Sequence, residues 1–189
     1  MLSILIPIYE ENCVNLISDL LNQAKELSIP YEILVFDDCS PMKCEANEII
    51  NQWEGVEYRI MPQNLGRAKI RNHLADCAKG DILLFLDGDS GIVRKDFLKR
   101  YLEEIKSTDV VRGGTVYCSK DKITQPYMLH WKYGTKVESN RVRQGENIFT
   151  TNNFCLKKDV FRTIRFEERI KGYGHEDTIF KFAIDKSDF

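Results

Sequence analysis

The rest of the chain is arranged around the stretch Asp81-Ile82-Leu83-Leu84-Phe85-Leu86-Asp87-Gly88-Asp89-Ser90. Its apolar run, bounded by Gly80 and Gly88, predicts a fully buried strand that delivers two carboxylates at its carboxyl end. Ligands of open α/β sheets bind at that end of the strands. Two acids one residue apart repel each other, so keeping both ionised at neutral pH implies a cation beside them. The stretch therefore predicts a divalent-metal site that faces a phosphate-bearing ligand.

Strands and helices alternate along the chain around this stretch. Apolar runs predict strands over residues 2–8, 32–36 and 56–61, and apolar residues at helical spacing fall between them. Four strand-then-helix repeats predict an α/β fold with a doubly wound, mostly parallel central sheet flanked by helices, joined by right-handed crossovers.

Prolines, glycines and capping residues set the predicted helix ends. Pro30 stops the first helix, which begins near Cys13. Ser40 followed by Pro41 predicts an N-cap with proline at the first position of the next helix. The apolar face of that helix is predicted to consist of Ala46, Ile49, Ile50 and Trp53. Gly80 is predicted to be the left-handed C-cap of a third helix over residues 67–78.

The second half of the chain is less regular. Helices are predicted over residues 97–105, 159–163 and 176–184, strands over 110–118 and 147–156, and only a short helix within the aromatic segment 123–140. We expect one domain over residues 1–189. It would comprise a nucleotide-binding half over about residues 1–90 and a smaller, mixed acceptor half over about residues 91–189.

The composition is that of an ordinary globular protein and argues against several classes. The formal net charge of -2 gives no basic surface for nucleic acid, so no nucleic-acid partner is expected. The six cysteines form no C-x-x-C pair, which argues against a zinc site and suggests reduced thiols in the cytoplasm. No apolar run reaches the roughly 18 residues of a membrane span.

Acids also follow the other predicted strands. Glu10 comes after the first strand, and Asp37 and Asp38 end the second. Because the carboxyl ends of parallel strands meet at one edge of a sheet, these acids are expected to converge with Asp87 and Asp89 on one crevice. Asp-Gly is also a favoured turn pair, so Asp87 and Gly88 alone could form a simple turn.

The order of these motifs resembles the family 2 glycosyltransferases, which have the GT-A fold. The resemblance rests on Leu5-Ile6-Pro7-Ile8-Tyr9-Glu10-Glu11-Asn12, Val35-Phe36-Asp37-Asp38-Cys39-Ser40, Asn64-Leu65-Gly66, Arg71-Asn72, Phe85-Leu86-Asp87-Gly88-Asp89 and Gly172-Tyr173-Gly174-His175-Glu176-Asp177. It implies an inverting transferase that moves a sugar from a nucleotide-sugar donor, expected to be a UDP-sugar, to a carbohydrate or lipid-linked acceptor. It also implies work in the cytoplasm, with peripheral association at the inner face of the membrane.

For the donor, the resemblance implies that Asp38 binds the base and Asp89 ligates Mn²⁺ or Mg²⁺ directly. Asp87 would contact the ribose or the metal shell, and Gly88 would let this turn bend toward one side. The other donor-binding residues implied are Pro7, Tyr9, Glu10, Asn64, Gly66, Arg67 and Arg71. Asp38 could instead cap a helix, and either arginine could be a solvated helix residue.

For the acceptor, the resemblance implies that Asp177 is the catalytic base, while Glu176 and Asn153 contact acceptor hydroxyls. Acids are also favoured in the first turn of a helix, so Glu176 and Asp177 could serve only the helix dipole. Relatives commonly continue beyond the last predicted helix, so the chain is expected to lack part of the acceptor site.

Two other functions remain as alternatives. A nucleotide-sugar-binding module without turnover, such as an inactive fragment, would need the same pocket. A sugar-nucleotidyltransferase would show a glycine-rich basic loop after the first strand, where Pro7-Ile8-Tyr9-Glu10-Glu11 stands instead. A dinucleotide-dependent oxidoreductase is excluded because no G-x-G-x-x-G follows that strand.

Overall fold

In the computed structural model, the described residues are 1–123, 125, 128–140, 149–170 and 174–187. They form a six-stranded sheet in the order β3-β2-β1-β4-β6-β5. Its strands are β1 (Leu2–Ile8), β2 (Tyr31–Asp37), β3 (Val56–Ile60), β4 (Ile82–Leu86), β5 (Val110–Arg112) and β6 (Asn153–Lys157). Strands β1 to β4 pair in parallel, and β6 pairs antiparallel with β4 and β5. The predicted α/β fold with a mostly parallel sheet is confirmed.

Helices cover both faces of this sheet. They are α1 (Val14–Ala24), a 3-10 helix (Glu45–Gln52), α2 (Arg67–Cys77), α3 (Phe97–Glu104), α4 (Met128–Tyr133), α5 (Lys158–Thr163) and α6 (Glu176–Asp185). Because side chains alternate along a strand, Ile4 and Ile6 of β1 pack in the core on the α1 face, and Leu5 packs in the core on the α2 face. A hydrophobic core therefore covers each face of the sheet.

A cluster of phenylalanines closes the α2 face around the second half of the chain. Phe166 stacks on Phe180 of α6 with ring centroids 4.3 Å apart, and Phe85 of β4 stacks on Phe154 of β6 at 4.8 Å. Edge-on contacts join the two pairs. This cluster ties α6 to the central sheet and so positions the residues at the start of α6.

The prediction that a helix begins at Ser40 was wrong. The segment forms a 3-10 helix that starts at Glu45, and the Ser40 hydroxyl instead accepts a hydrogen bond from the Glu10 backbone N–H at 2.7 Å. Residues three apart share a face of a 3-10 helix, so Asn47 and Ile50 are buried while Ile49 is exposed. Asn47 also accepts from the Cys13 backbone N–H at 3.1 Å, which joins this helix to α1.

Gly80 is not the left-handed C-cap that its position suggested. Helix α2 ends at Cys77, Ala78 is already extended, and Gly80 is absent from the glycines with positive φ. A Cβ on Gly80 would lie 2.6 Å from the Met1 carbonyl oxygen. Glycine is needed here because β4 enters the sheet in close contact with the start of β1.

The strands of the second half are shorter than predicted. Strand β5 ends at Arg112 instead of reaching Cys118, and β6 begins at Asn153. Residues 147 and 148 of the predicted last strand lie outside the described part of the chain, as does Tyr127 of the aromatic segment. Helix α4 runs into a π-helical turn over Gly134–Glu138. Among the described residues, no helix has the length and apolar content needed to cross a bilayer.

Gly113 marks the point where β5 leaves the sheet, and its substitution tests the packing there. A Cβ on Gly113 would overlap the Tyr101 hydroxyl and the Asn153 amide, whereas Gly114 has open space. We expect Gly113→Ala to lower the free energy of unfolding by about 1–3 kcal/mol through overpacking. Gly114→Ala is the matched control and should change it by less than about 0.5 kcal/mol. Urea denaturation measures both, and equal stability of the two variants would contradict the packing described.

Candidate active site

Sharp backbone turns concentrate where the predicted site residues lie. Among the described residues, the non-glycine positions with left-handed φ are Glu10 (55°), Cys39 (61°) and His175 (69°). Glu10 follows the end of β1, Cys39 follows the end of β2, and His175 immediately precedes α6. Such conformations are uncommon for residues with a side chain and tend to occur at functional sites.

Asp38 fastens the loop before α2 to the end of β2. Its two carboxylate oxygens accept the backbone N–H groups of Leu65 at 2.7 Å and Gly66 at 2.9 Å. The Asn64 side-chain amide donates to the Asp38 carbonyl oxygen at 2.9 Å. Burial raises the pKa of Asp38, although the two N–H groups act in the opposite direction. Asp38 therefore shapes the edge of the sheet through its contacts with this loop.

Asp87 is held by a buried arginine. The Arg71 guanidinium donates from Nη2 to Asp87 Oδ1 at 2.6 Å, with 3% of the Arg71 side chain and 26% of that of Asp87 exposed. Arg71 also lies over the Phe166 ring and donates to the Arg67 carbonyl oxygen at 3.3 Å. Burial raises the pKa of Asp87, while Arg71 opposes that shift. Arg71 thus neutralises and orients this carboxylate.

Asp89 differs from Asp87 in its surroundings. It is exposed, and no described residue forms a hydrogen bond or ion pair with its carboxylate. The pKa of Glu11 is raised by burial and by the charge of Asp89, and that charge also raises the pKa of Asp87. Between them, Gly88 is buried where a Cβ would overlap Ile8 of β1. The turn therefore rests on the end of β1 and projects Asp89 outward.

A cavity of about 870 Å³ opens beside this turn. Asp87 and Asp89 line it on the β4 side, and Asp177 of α6 lines it on another side. The Thr151 hydroxyl donates to Asp177 Oδ1, while no described group donates to Oδ2. The fold thus brings together around one cavity the three carboxylates that were predicted to bind metal or act as the base, those of Asp87, Asp89 and Asp177.

Glu176, beside Asp177, faces a different way. It is buried, accepts from the Gly174 backbone N–H at 3.1 Å and lies 3.7 Å from the Arg67 guanidinium. Together with Asn64, Gly66 and Arg67 it lines a smaller pocket of about 250 Å³. Arg67 lines both spaces, so it stands between them.

Asn153 lines the large cavity but is occupied by structural contacts. Its Oδ1 accepts from the Tyr101 hydroxyl at 2.5 Å, and its amide donates to the Gly114 carbonyl oxygen at 3.2 Å. The neighbouring Asn152 is the more available amide, because its buried Oδ1 has no partner. The sequence offered no signal to separate these adjacent asparagines, since both line the cavity and only the tertiary contacts of Asn153 with Tyr101 and Gly114 distinguish them.

The predicted site residues divide into three groups. The large cavity is lined by Arg67, Arg71, Asp87, Asp89, Asn153 and Asp177, and the smaller pocket by Asn64, Gly66, Arg67 and Glu176. Pro7, Tyr9, Glu10, Asp38 and Gly88 lie at the same edge of the sheet but outside the described linings of these two spaces. No group of three or more His, Cys, Asp or Glu side chains in the described part of the chain could hold a metal.

A mostly parallel α/β sheet with a charged cavity at the carboxyl ends of its strands defines the class of ligand-binding α/β proteins. Residues 3–165 match the family described as Glycosyl transferase family 2. This match covers most of the chain, which therefore belongs to that family. The fold is that of the GT-A glycosyltransferases.

Individual proteins and solved structures resemble this chain over nearly all of its length. An uncharacterized glycosyltransferase of Haemophilus influenzae is 27% identical over 186 residues, which are 95% of this chain and 70% of that protein. S. aureus TarS 1-349 in complex with UDP has 23% identity and a TM-score of 0.61, covering 95% of this chain and 53% of that one.

A mannosyltransferase from Pyrobaculum calidifontis, solved with GDP-Man and Mn2+, has 17% identity and a TM-score of 0.62, covering 95% of this chain and 50% of that one. The chain thus spans about half the length of these solved structures. At these identities the likeness establishes the fold.

Replacing Asp38 by asparagine tests its role in holding the loop. An amide has one acceptor oxygen, so Asp38→Asn leaves one of the two backbone N–H groups without an acceptor. We expect a loss of about 1–3 kcal/mol in the free energy of unfolding. The surface variant Asp159→Asn, which removes an exposed pair with Arg162, should cost less than about 1 kcal/mol. An unchanged urea midpoint in Asp38→Asn would show that the loop does not depend on it.

Proposed function

We propose that this protein is an inverting glycosyltransferase, which transfers a sugar from a UDP-sugar to a carbohydrate or lipid-linked acceptor. The observation that carries the proposal is that Asp87, Asp89 and Asp177 line one cavity in a chain of glycosyl transferase family 2. Among the solved relatives in fold, TarS was crystallised with UDP and the mannosyltransferase with GDP-Man and Mn2+.

The donor set around Asp89 fits a divalent cation. Its carboxylate offers hard oxygen ligands, is exposed, and adds negative charge beside Asp87 and Glu11. Mg²⁺ characteristically uses one or two protein carboxylates and completes its shell with phosphates and water, so a three-residue cluster is not required. When bound, the cation would stabilise the charge that develops on the departing diphosphate. Asp89 would hold it, and Asp87 would contribute to the shell or the ribose from its pairing with Arg71.

Asp177 is suited to take a proton from the acceptor. Direct displacement with inversion requires an acceptor hydroxyl behind the leaving group and a carboxylate within hydrogen-bond reach. The Thr151 hydroxyl fixes one oxygen of Asp177, and the other oxygen is left for the substrate. A carboxylate in this setting can both orient the hydroxyl and accept its proton.

The remaining roles are those that membership of the family implies, and the smaller pocket brings Glu176 beside Asn64, Gly66 and Arg67. Arg67, Asn64 and Gly66 would line the nucleotide pocket with Pro7, Tyr9, Glu10 and Gly88, and Asp38 would bind the base while holding the loop. Glu176 and Asn153 would act on the acceptor side. The proposal places this single domain in the cytoplasm at the inner face of the membrane, and its six unpaired cysteines support a reducing compartment.

Asp89→Ala tests the metal site. We expect it to lower the affinity for UDP in the presence of Mn²⁺ by about tenfold or more, because the ion that links protein and diphosphate is lost. Calorimetric titration with and without Mn²⁺ measures this. Asp81→Ala is the matched control, since Asp81 precedes the same strand at the opposite edge of the sheet and is exposed. Metal-independent binding, or equal binding by both variants, argues against the site.

Asp177→Asn tests the catalytic base. The variant keeps the size of the side chain but cannot accept the proton, so transfer should fall by about a hundredfold or more while UDP still binds. Asp185→Asn, at the other end of α6 and paired with Lys181, should transfer normally. A product assay with the donor that binds best measures both. Wild-type activity in Asp177→Asn would refute the assignment, and nucleotide binding without turnover in every protein would favour a binding module.

A further inference from the structure

The large cavity contains polar atoms that lack partners. In the described part of the chain, the buried side-chain nitrogen and oxygen atoms without a hydrogen bond are Arg71 Nε, Arg112 Nε and Asn152 Oδ1. All three residues line the 870 Å³ cavity. Buried polar groups are usually hydrogen-bonded, and an unpaired one lowers stability. Their concentration around one space indicates a ligand that supplies the missing partners.

Two of these three residues, Arg71 and Arg112, carry a positive charge. Only Arg112 has no ion-pair partner within the described residues. Arg71 is compensated by its ion pair with Asp87. Arg112 ends β5, and no described carboxylate lies within ion-pair distance of it. A guanidinium with a free Nε–H presents two parallel donors, which match the two oxygens of a carboxylate or phosphate.

Two further arginines that line the cavity, Arg94 and Arg100, have different environments, and Arg94 is paired with Asp96. Arg100 is exposed on α3, one helical turn before Glu104, and both line the cavity. Because Arg100 is exposed, water solvates its guanidinium and its charge needs no protein partner. Arg112 differs from Arg100 because its Nε is buried and has no hydrogen-bond acceptor among the described residues.

Asn152 contributes a buried acceptor that lacks a donor, whereas Arg112 contributes a donor that lacks an acceptor. Its backbone carbonyl oxygen accepts from the Asp87 N–H at 3.0 Å, and its side-chain amide donates to the Thr115 hydroxyl at 3.3 Å. Its Oδ1 is left as a buried acceptor without a donor. A sugar hydroxyl can supply that donor. Asn152 also precedes Asn153 and follows Thr151, the partner of Asp177, so it lies between the turn of Asp87 and the proposed base.

We infer that one of the two sugars handled in this cavity is acidic, with a carboxylate or phosphate bound to the Arg112 guanidinium and a hydroxyl donated to Asn152 Oδ1. This inference rests on the proposed function and specifies its substrate class. A neutral sugar would satisfy Asn152 but bring no negative charge to the half-buried guanidinium of Arg112, whose Nε is buried without an acceptor, and this favours the acidic ligand. The acid can belong to the donor sugar or to the acceptor, because both meet in the cavity.

Calorimetric titrations in the presence of Mn²⁺ test the inference in two arms. The donor arm compares UDP-glucuronate with UDP-glucose, and the acceptor arm compares glucuronate and glucose 6-phosphate with glucose, with UDP bound. We expect the acidic ligand to bind about tenfold or more tightly than its neutral counterpart in one arm. Arg112→Gln should abolish that preference and leave UDP affinity within about twofold. The arm that shows the preference identifies the acidic sugar.

Arg100→Gln is the matched control, since it removes one positive charge from the same wall without removing a buried donor. It should keep the preference within about twofold. Thermal unfolding checks that Arg112→Gln is folded, and if it is not, Arg112→Lys replaces it. Lysine keeps the charge but not the paired donors, so about threefold or more of the preference should be lost.

Equal binding of acidic and neutral ligands in both arms overturns the inference, as does a preference that survives substitution of Arg112. Failure of UDP to bind with Mn²⁺ contradicts the proposed function instead. The acceptor arm is then repeated without nucleotide, where loss of the acidic preference in Arg112→Gln still supports the inference and its persistence still opposes it.

Discussion

The site depends on the ion pair between Arg71 and Asp87. A buried guanidinium must be paired, because an isolated buried charge is strongly destabilising. Arg71 reaches from α2 across the Phe166 ring to the carboxylate that follows β4. It therefore joins the helix to the edge of the sheet at which the candidate site lies. As a consequence, the two acids of the turn, Asp87 and Asp89, have different surroundings. Asp87 is oriented and neutralised by Arg71, whereas the carboxylate of Asp89 is exposed, and we propose that it holds a cation.

The same edge of the sheet combines rigid framework contacts with unsatisfied groups. Asp38 fastens the loop at Gly66, Ser40 fastens the turn at Glu10, and Gly88 rests on Ile8. These contacts hold the strained turns after β1 and β2 in place. The cavity beside them is lined by the side chains that lack partners. The polar groups of the framework are thus hydrogen-bonded within the protein, whereas several polar groups of the cavity are not. This arrangement is expected of a preformed binding site.

The central strands and the mostly parallel sheet could be predicted because β1, β2 and β4 are continuous apolar runs whose pattern reports burial directly. The rule that parallel strands end at a common edge predicted that Asp87 and Asp89 would lie together at the site, whereas Asp177, in the first turn of α6, was expected only from the family resemblance. Arg71 could not be recognised as a buried residue, because its partner lies on another element and arginine in a helix is usually solvated. Ser40-Pro41 suggested a cap, but Ser40 is used by Glu10 across the turn. Arg112 carries no local signal, since its isolation results from tertiary packing alone.

We propose that Asp89 ligates the metal while Arg71 keeps Asp87 oriented beside it. Anomalous diffraction at a manganese absorption edge, from crystals grown with Mn²⁺ and UDP, tests this claim most directly. We expect one anomalous peak within coordination distance of the Asp89 carboxylate and the UDP phosphates, with the Arg71 to Asp87 pair intact. UDP bound with the manganese peak away from Asp89, or with no manganese at all, would contradict it.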